Sequence, residues 1–276
     1  TIGPARAPDF YGIGAEKCGT TWLWQMFRDH PAIGVPRPKE LRYFATLYLG
    51  TGAPRAAALP ILLRNAASLQ KRPLLLAQLA TEIRLAAGGD EAYLRILGKL
   101  KGDLVGDISP QYCMLPDAGI AHMQRLAPEA KVIFLMRDPV SRAISGGKMK
   151  AAAENPELDD ARLRAHTLVP FQIDMSRYSA ILDRFERAFP GRVWTGFFDD
   201  IVERPLAVLE ELCAFLGVEF RAEMFPRTAM TANPGKPFAV SAELKREVYG
   251  LLAGEYDRLE ARFPARVAAW RAAYLR

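Results

Sequence analysis

The chain of 276 residues is half hydrophobic, and its 37 Lys and Arg outnumber 31 Asp and Glu for a formal charge of +6. That size and composition exclude a disordered polymer and allow one large α/β domain or two small ones. The cationic excess suits an anionic partner, yet no run of Lys and Arg interleaved with aromatics marks a nucleic-acid groove, and Cys18, Cys113 and Cys213 are few, odd in number and lack metal-site spacing.

Four β-rich runs recur between helical patterns: "DFYGIG" from Asp9, "LVGDIS" from Leu104, "KVIFLM" from Lys131 and "VWTGFF" from Val193. Their alternation with helices predicts an α/β fold, P-loop-like and three-layered, with a central, mainly parallel sheet flanked by helices. After the first run, Leu23, Met26 and Phe27 fall at i, i+3 and i+4, which predicts a helix with one face on the sheet. Residues 50–103 carry little strand signal and much Ala, Leu and Arg. They read as a helical insertion between the first two strands, either covering a substrate cleft or filling space. Helices are expected over 116–127, 172–189 and 204–216, a loop over 146–172, and a final helix capped by Ser241. A single domain over 1–276 accommodates all of this. The apolar stretch Leu59–Leu79 is broken by Arg64, Lys71, Arg72 and two prolines, so no membrane span is expected. The cysteine usage points to a reducing, cytoplasmic setting.

Two segments carry phosphate chemistry. In "GAEKCGTT" the frame is Gly14, four residues, Gly19, then Thr20 and Thr21. A triphosphate P-loop would carry lysine at position 20, whereas here the lysine is inside the loop at Lys17. Amides of Lys17, Cys18, Gly19, Thr20 and Thr21 at a helix N-terminus, with two hydroxyls, would hold a short anionic group, with Lys17 aimed at a bridging oxygen. The other reading is a glycine-containing turn without a ligand. In "KVIFLMRDPVSRAIS" a buried strand ends on Arg137, and Ser145 follows two helical turns into the next helix. Arg137 and Ser145 could take a second phosphate, or Arg137 or Arg142 could form a structural ion pair with Asp138. Two phosphate grips together suit a 3',5'-bisphosphate nucleotide.

"EKCGTTWL" resembles the 5'-phosphosulfate loop of sulfotransferases, and "RDPVSRAIS" resembles their 3'-phosphate motif. "RPKELRYF" resembles the segment of heparan-type and related bacterial sulfotransferases in which a glutamate is the catalytic base, here Glu40. The resemblance implies transfer of a sulfuryl group from 3'-phosphoadenosine-5'-phosphosulfate (PAPS) to a hydroxyl, less readily an amine, of a small-molecule or glycan acceptor, leaving 3'-phosphoadenosine-5'-phosphate (PAP). It implies Glu40 as general base, Lys17 as the group stabilising the leaving oxygen, no metal, and Trp22 as an adenine-stacking residue, core packing being the alternative for Trp22. It also places Asn233, Gly235 and Lys236 in a segment closing over the nucleotide. One departure is Ile108, where several heparan-type relatives carry a second catalytic lysine. The rival functions are a P-loop nucleotide kinase, which Thr20 disfavours, and a nucleotide-binding protein without turnover, which needs no base.

Overall fold

The computed structural model describes residues 4–50, 73–154, 157–228 and 238–274. Its centre is a five-stranded sheet of β1 (Phe10–Gly14), β2 (Ile33–Gly34), β3 (Leu104–Ile108), β4 (Lys131–Met136) and β5 (Val193–Phe197). The spatial order is β2-β3-β1-β4-β5, and every pair is parallel. Helices cover both faces, so β1 and β4 read as nearly unbroken apolar runs. The two-residue β2 is too short to leave a pattern in the sequence.

The helices are α1 (Thr20–Asp29), α2 (Tyr43–Leu49), α3 (Pro73–Leu97), α4 (Asp117–Leu126), α5 (Pro139–Glu154), α6 (Asp160–Thr167), α7 (Pro170–Asp174), α8 (Tyr178–Ala188), α9 (Phe198–Glu203), α10 (Pro205–Leu216), α11 (Ala242–Glu260) and α12 (Pro264–Arg271). α1 buries Leu23, Met26 and Phe27 as its periodicity requires. The expected caps and starts hold elsewhere: Pro205 opens α10, and Ser241 Oγ accepts from the Leu244 amide at 3.4 Å to start α11.

Two expectations for helix and loop need correction. The segment 146–172 is no loop; it holds the end of α5, all of α6 and the start of α7. The helix expected over 172–189 breaks at 175–177, because Ser176 turns inward, where its Oγ accepts from Arg142 Nε at 2.6 Å and donates to the Pro139 carbonyl at 2.9 Å. The helix α2, not foreseen from the sequence, forms without a side-chain cap, held by the burial of Tyr43, Phe44 and Ala45. Of the insertion, 51–72 lie outside the described residues. The rest is mainly α3, which follows α2 and so lies between β2 and β3, not between the first two strands, and is interrupted at Gly89, whose φ of 55° and ψ of −144° are not helical.

The chain order sets a switch point. From β1 it passes through α1 to β2 and β3 on one side, then crosses to β4 and β5 on the other. In open α/β sheets ligands bind beyond the carboxyl ends of the strands at such a point. The loops after β1 and β4 flank it.

Candidate active site

The loop after β1 bends sharply. Gly14 has φ 137°, and a Cβ there would come within 2.4 Å of the Pro110 carbonyl oxygen, so only glycine fits. The Ala15 amide donates to the Leu135 carbonyl at 2.8 Å, tying the loop to the end of β4. The Cys18 amide donates back to the Ala15 carbonyl at 3.3 Å, within the loop. Its thiol is fully buried beside the Tyr178 hydroxyl at 3.8 Å, and burial pushes it up to about 11, which makes it a packing group. Gly19, at φ 96°, then opens α1. The amides of Thr20, Thr21 and Trp22 in the first turn have no intrahelical acceptor and face the positive end of the helix dipole.

Lys17 itself has a left-handed backbone, φ 71°. Burial pulls its ammonium below the usual lysine value; Glu16 opposes the shift, and the charges of Arg137 and Lys39 add to it. Lys17, Arg137 and Lys39, from three separate segments, are therefore near enough for their charges to act on one another. Arg137 leaves β4 with its guanidinium 4.6 Å above the ring of Phe198, the first residue after β5. Phe198 also lies against Gly19, where a Cβ would stand 3.5 Å from its Cδ2.

The structural ion pair considered for Arg137 or Arg142 does not form. Asp138 accepts instead from the Ser141 amide at 2.9 Å and from the hydroxyls of Tyr256 and Tyr274. Arg142 is fully buried and donates to Ser176 and Gln172. Among the described residues Arg137 has no carboxylate partner. Ser145 is half-buried on α5, and one turn beyond it Lys148 donates to the Phe238 carbonyl at 3.0 Å. Burial and then the charges of Arg137 and Lys245 lower the Lys148 ammonium. Sequence reasoning missed Lys39, Lys148 and Phe198, whose convergence depends on loops distant in the chain. Trp22 is buried at 4 % exposure, and its indole N–H donates to the Thr228 carbonyl at 3.4 Å. Asn233, Gly235 and Lys236 lie outside the described residues.

Glu40 sits in the turn between β2 and α2. It is partly exposed, and one carboxylate oxygen accepts from Lys39 Nζ at 2.6 Å. Lys17, Glu40 and Arg42 are the three non-glycine residues with positive φ among the described residues, at 71°, 68° and 55°. Left-handed backbone costs a non-glycine residue about 1–2 kcal/mol. Such strain persists where the surroundings impose it, commonly at functional sites. Around Glu40 the opposing contributions are hydrogen bonds at about 0.5–1.5 kcal/mol each, more where a carboxylate accepts. The Leu41 amide reaches Asp107 Oδ1 at 3.4 Å, and the Arg42 amide reaches Ser109 Oγ at 3.0 Å.

The three histidines are engaged elsewhere. His30 Nδ1 accepts from the Ala32 amide, which leaves Nε2 to donate to the Glu219 carbonyl. His122 bridges Asp90 and Tyr48, and His166 pairs with Glu154. Ile108, where relatives carry a lysine, is buried at the end of β3.

A profile of the sulfotransferase family matches residues 8–222. The chain belongs to that family. The reaction class is therefore sulfuryl transfer, and the all-parallel sheet with flanking helices is the fold of its solved relatives. A sulfotransferase from Alicyclobacillus acidocaldarius is similar at TM-score 0.65 and 25% identity, covering 96% of this chain and 98% of that one. A Mycobacterium avium sulfotransferase shares the fold at TM-score 0.52 and 17% identity over 92% of this chain and 77% of that one. The sulfotransferase domain of the Synechococcus PCC 7002 olefin synthase does so at 0.50 and 20%, over 84% and 81%. No curated protein matches the sequence. Among the described residues of this sulfotransferase, no helix is long and apolar enough to cross a membrane, and no group of three or more His, Cys, Asp or Glu is placed to hold a metal ion.

Proposed function

We propose that this sulfotransferase, one domain over 1–276, uses PAPS as donor and sulfates a hydroxyl of a small-molecule or glycan acceptor. The observation that carries the reading is the pair of cationic grips flanking the switch point, with Asp138 satisfied elsewhere. The 5'-phosphosulfate would lie against the Thr20, Thr21 and Trp22 amides, the two threonine hydroxyls and Lys17. The 3'-phosphate would take Arg137 and Ser145, with Lys148 adding charge. Those donors match a bisphosphate in chemistry: two separated cation sites, one with backbone amides at a helix N-terminus.

In the transfer, Glu40 takes the acceptor proton while the acceptor oxygen forms its bond to sulfur. The bond from sulfur to the nucleotide phosphate oxygen breaks, and Lys17 stabilises the charge left on that oxygen. Lys39, held by Glu40, keeps a further positive charge nearby. Holding the donor for in-line attack supplies much of the remaining rate. Trp22, buried under the turn whose amides would face the phosphosulfate, fits core packing better than adenine stacking. α3 would border the acceptor.

A thermal-shift comparison tests the donor. PAP binds only the native state and should raise the melting temperature far more than ATP with magnesium. A larger shift with ATP would overturn the reading in favour of a nucleotide kinase.

A further inference from the structure

Asp107, next to last in β3, is fully buried and forms no ion pair among the described residues. Burying a carboxylate without a cation is costly unless donors surround it. Four do. Its Oδ1 accepts from Ser109 Oγ at 2.8 Å and the Leu41 amide at 3.4 Å, and its Oδ2 accepts from Tyr112 OH at 2.6 Å and Tyr93 OH at 3.4 Å.

The Ser109 hydroxyl has a single hydrogen, and Asp107 takes it. Its lone pairs are thereby turned outward, where one accepts the Arg42 amide at 3.0 Å. The two amides that follow Glu40 thus both end on the Asp107–Ser109 pair. They bracket the segment in which Glu40 and Arg42 are left-handed. Tyr93 stacks on Tyr43 with ring centroids 5.0 Å apart, so α3 and the start of α2 press on the same clamp. Burial pushes the Asp107 carboxyl up to about 6, and the negative charge of Glu40 adds to that shift.

Building on the role given above to Glu40, we propose that Asp107, acting through Ser109, is a positioning residue for the general base. It fixes the backbone of 40–42 in its left-handed form and so aims the Glu40 carboxylate at the acceptor. A residue serving only the stability of β3 would have no need to order the amides of a separate loop. Asparagine has the same shape but one acceptor oxygen, so Asp107→Asn must turn an amide N–H toward either the Ser109–Leu41 side or the tyrosines. Ser109→Ala removes the acceptor for Arg42 and leaves the buried tyrosines in place.

The test uses both variants and three readouts: hydrogen exchange at the Leu41 and Arg42 amides, the melting shift produced by PAP, and the slow release of PAP from PAPS with water as acceptor. In both variants we expect faster exchange at those amides, a PAP shift equal to wild type, a kcat at least about tenfold lower and a KM for PAPS within twofold. Unchanged exchange, or a wild-type kcat in Ser109→Ala, overturns the role of Asp107. A KM that rises in step with the fall in kcat also overturns it, since the damage is then general. Should Asp107→Asn not fold, Ser109→Ala decides alone. Wild-type protein without a PAP shift would sink the donor reading instead, and the exchange rates would still judge the clamp.

Discussion

Around the proposed donor end, regular elements supply most of the groups, Lys17 on its left-handed loop excepted. α1 presents its first-turn amides because a helix must leave them unpaired, and Arg137 is where it is because β4 stops there. The Glu40 turn has no such support. Its carboxylate stands on two left-handed residues held by hydrogen bonds to an aspartate buried in β3 and the serine just after that strand. Under the proposed mechanism, the comparison teaches that binding and turnover would rest on separable structures: donor affinity would come from the sheet, while the proposed base would depend on a small network of side chains. Perturbations should divide along that line.

The largest expected effect falls on turnover alone. Glu40→Gln keeps the shape and the contact with Lys39 but cannot take the acceptor proton, so the rate should fall by about 10²- to 10⁴-fold. PAP affinity, measured by calorimetry, should stay near wild type. Lys17→Ala sharpens the contrast, because its charge meets the donor in the ground state as well as the transition state. It should lower both kcat and PAPS affinity. Wild-type turnover in Glu40→Gln would place the base elsewhere, and the engagement of His122 with Asp90 and of His166 with Glu154 makes neither a ready substitute.

Next in size is Arg137→Ala, which removes a side chain from the donor end. It should weaken PAP binding by roughly 1.5–3 kcal/mol, the range for hydrogen bonds to a charged group. The loss should vanish for a nucleotide lacking the 3'-phosphate. Equal losses for both ligands would assign Arg137 to packing on Phe198. Gly19→Ala perturbs the same end through its backbone. At φ 96° a Cβ is strained, and it would approach Ile201 Cδ1 to 2.7 Å. A cost of about 1–2 kcal/mol in stability is expected, read as a lower melting temperature, together with weaker PAP binding as the first turn of α1 shifts.

The same division explains what could be read from the chain. Four strands were legible because each is a short β-rich run between helical patterns, and Arg137 stood out as the charge that ends one of them. The loop around Lys17 was legible from its glycine spacing. Glu40 is singled out only through family resemblance, since a lone glutamate after Pro38 and Lys39 has no periodic signature. Asp107 could not be found. A carboxylate inside a strand reads as an exposed position, and the donors that permit its burial come from Leu41, Tyr93, Ser109 and Tyr112, which the fold alone assembles. The break at Ser176 was hidden for a related reason, its partner Arg142 lying on a different helix.

The smallest effect tests how far the donor end extends along α5. Lys148 lies three residues beyond Ser145, hence on the same helical face, and its ammonium is destabilised by burial and by Arg137 and Lys245. A phosphate bound at Arg137 would relieve that repulsion, so Lys148 should contribute to affinity while slightly opposing the stability of the free protein. Because the group is partly exposed, its contribution should not exceed about 1 kcal/mol, roughly a fivefold change in Kd. Lys148→Ala should therefore bind PAP a few-fold more weakly, with a gentler dependence on salt than wild type. Its melting temperature without nucleotide should be equal or higher. A clear fall in that melting temperature, with PAP affinity unchanged, would show that the bond from Lys148 to the Phe238 carbonyl is its whole purpose, and the donor end would then stop at Ser145.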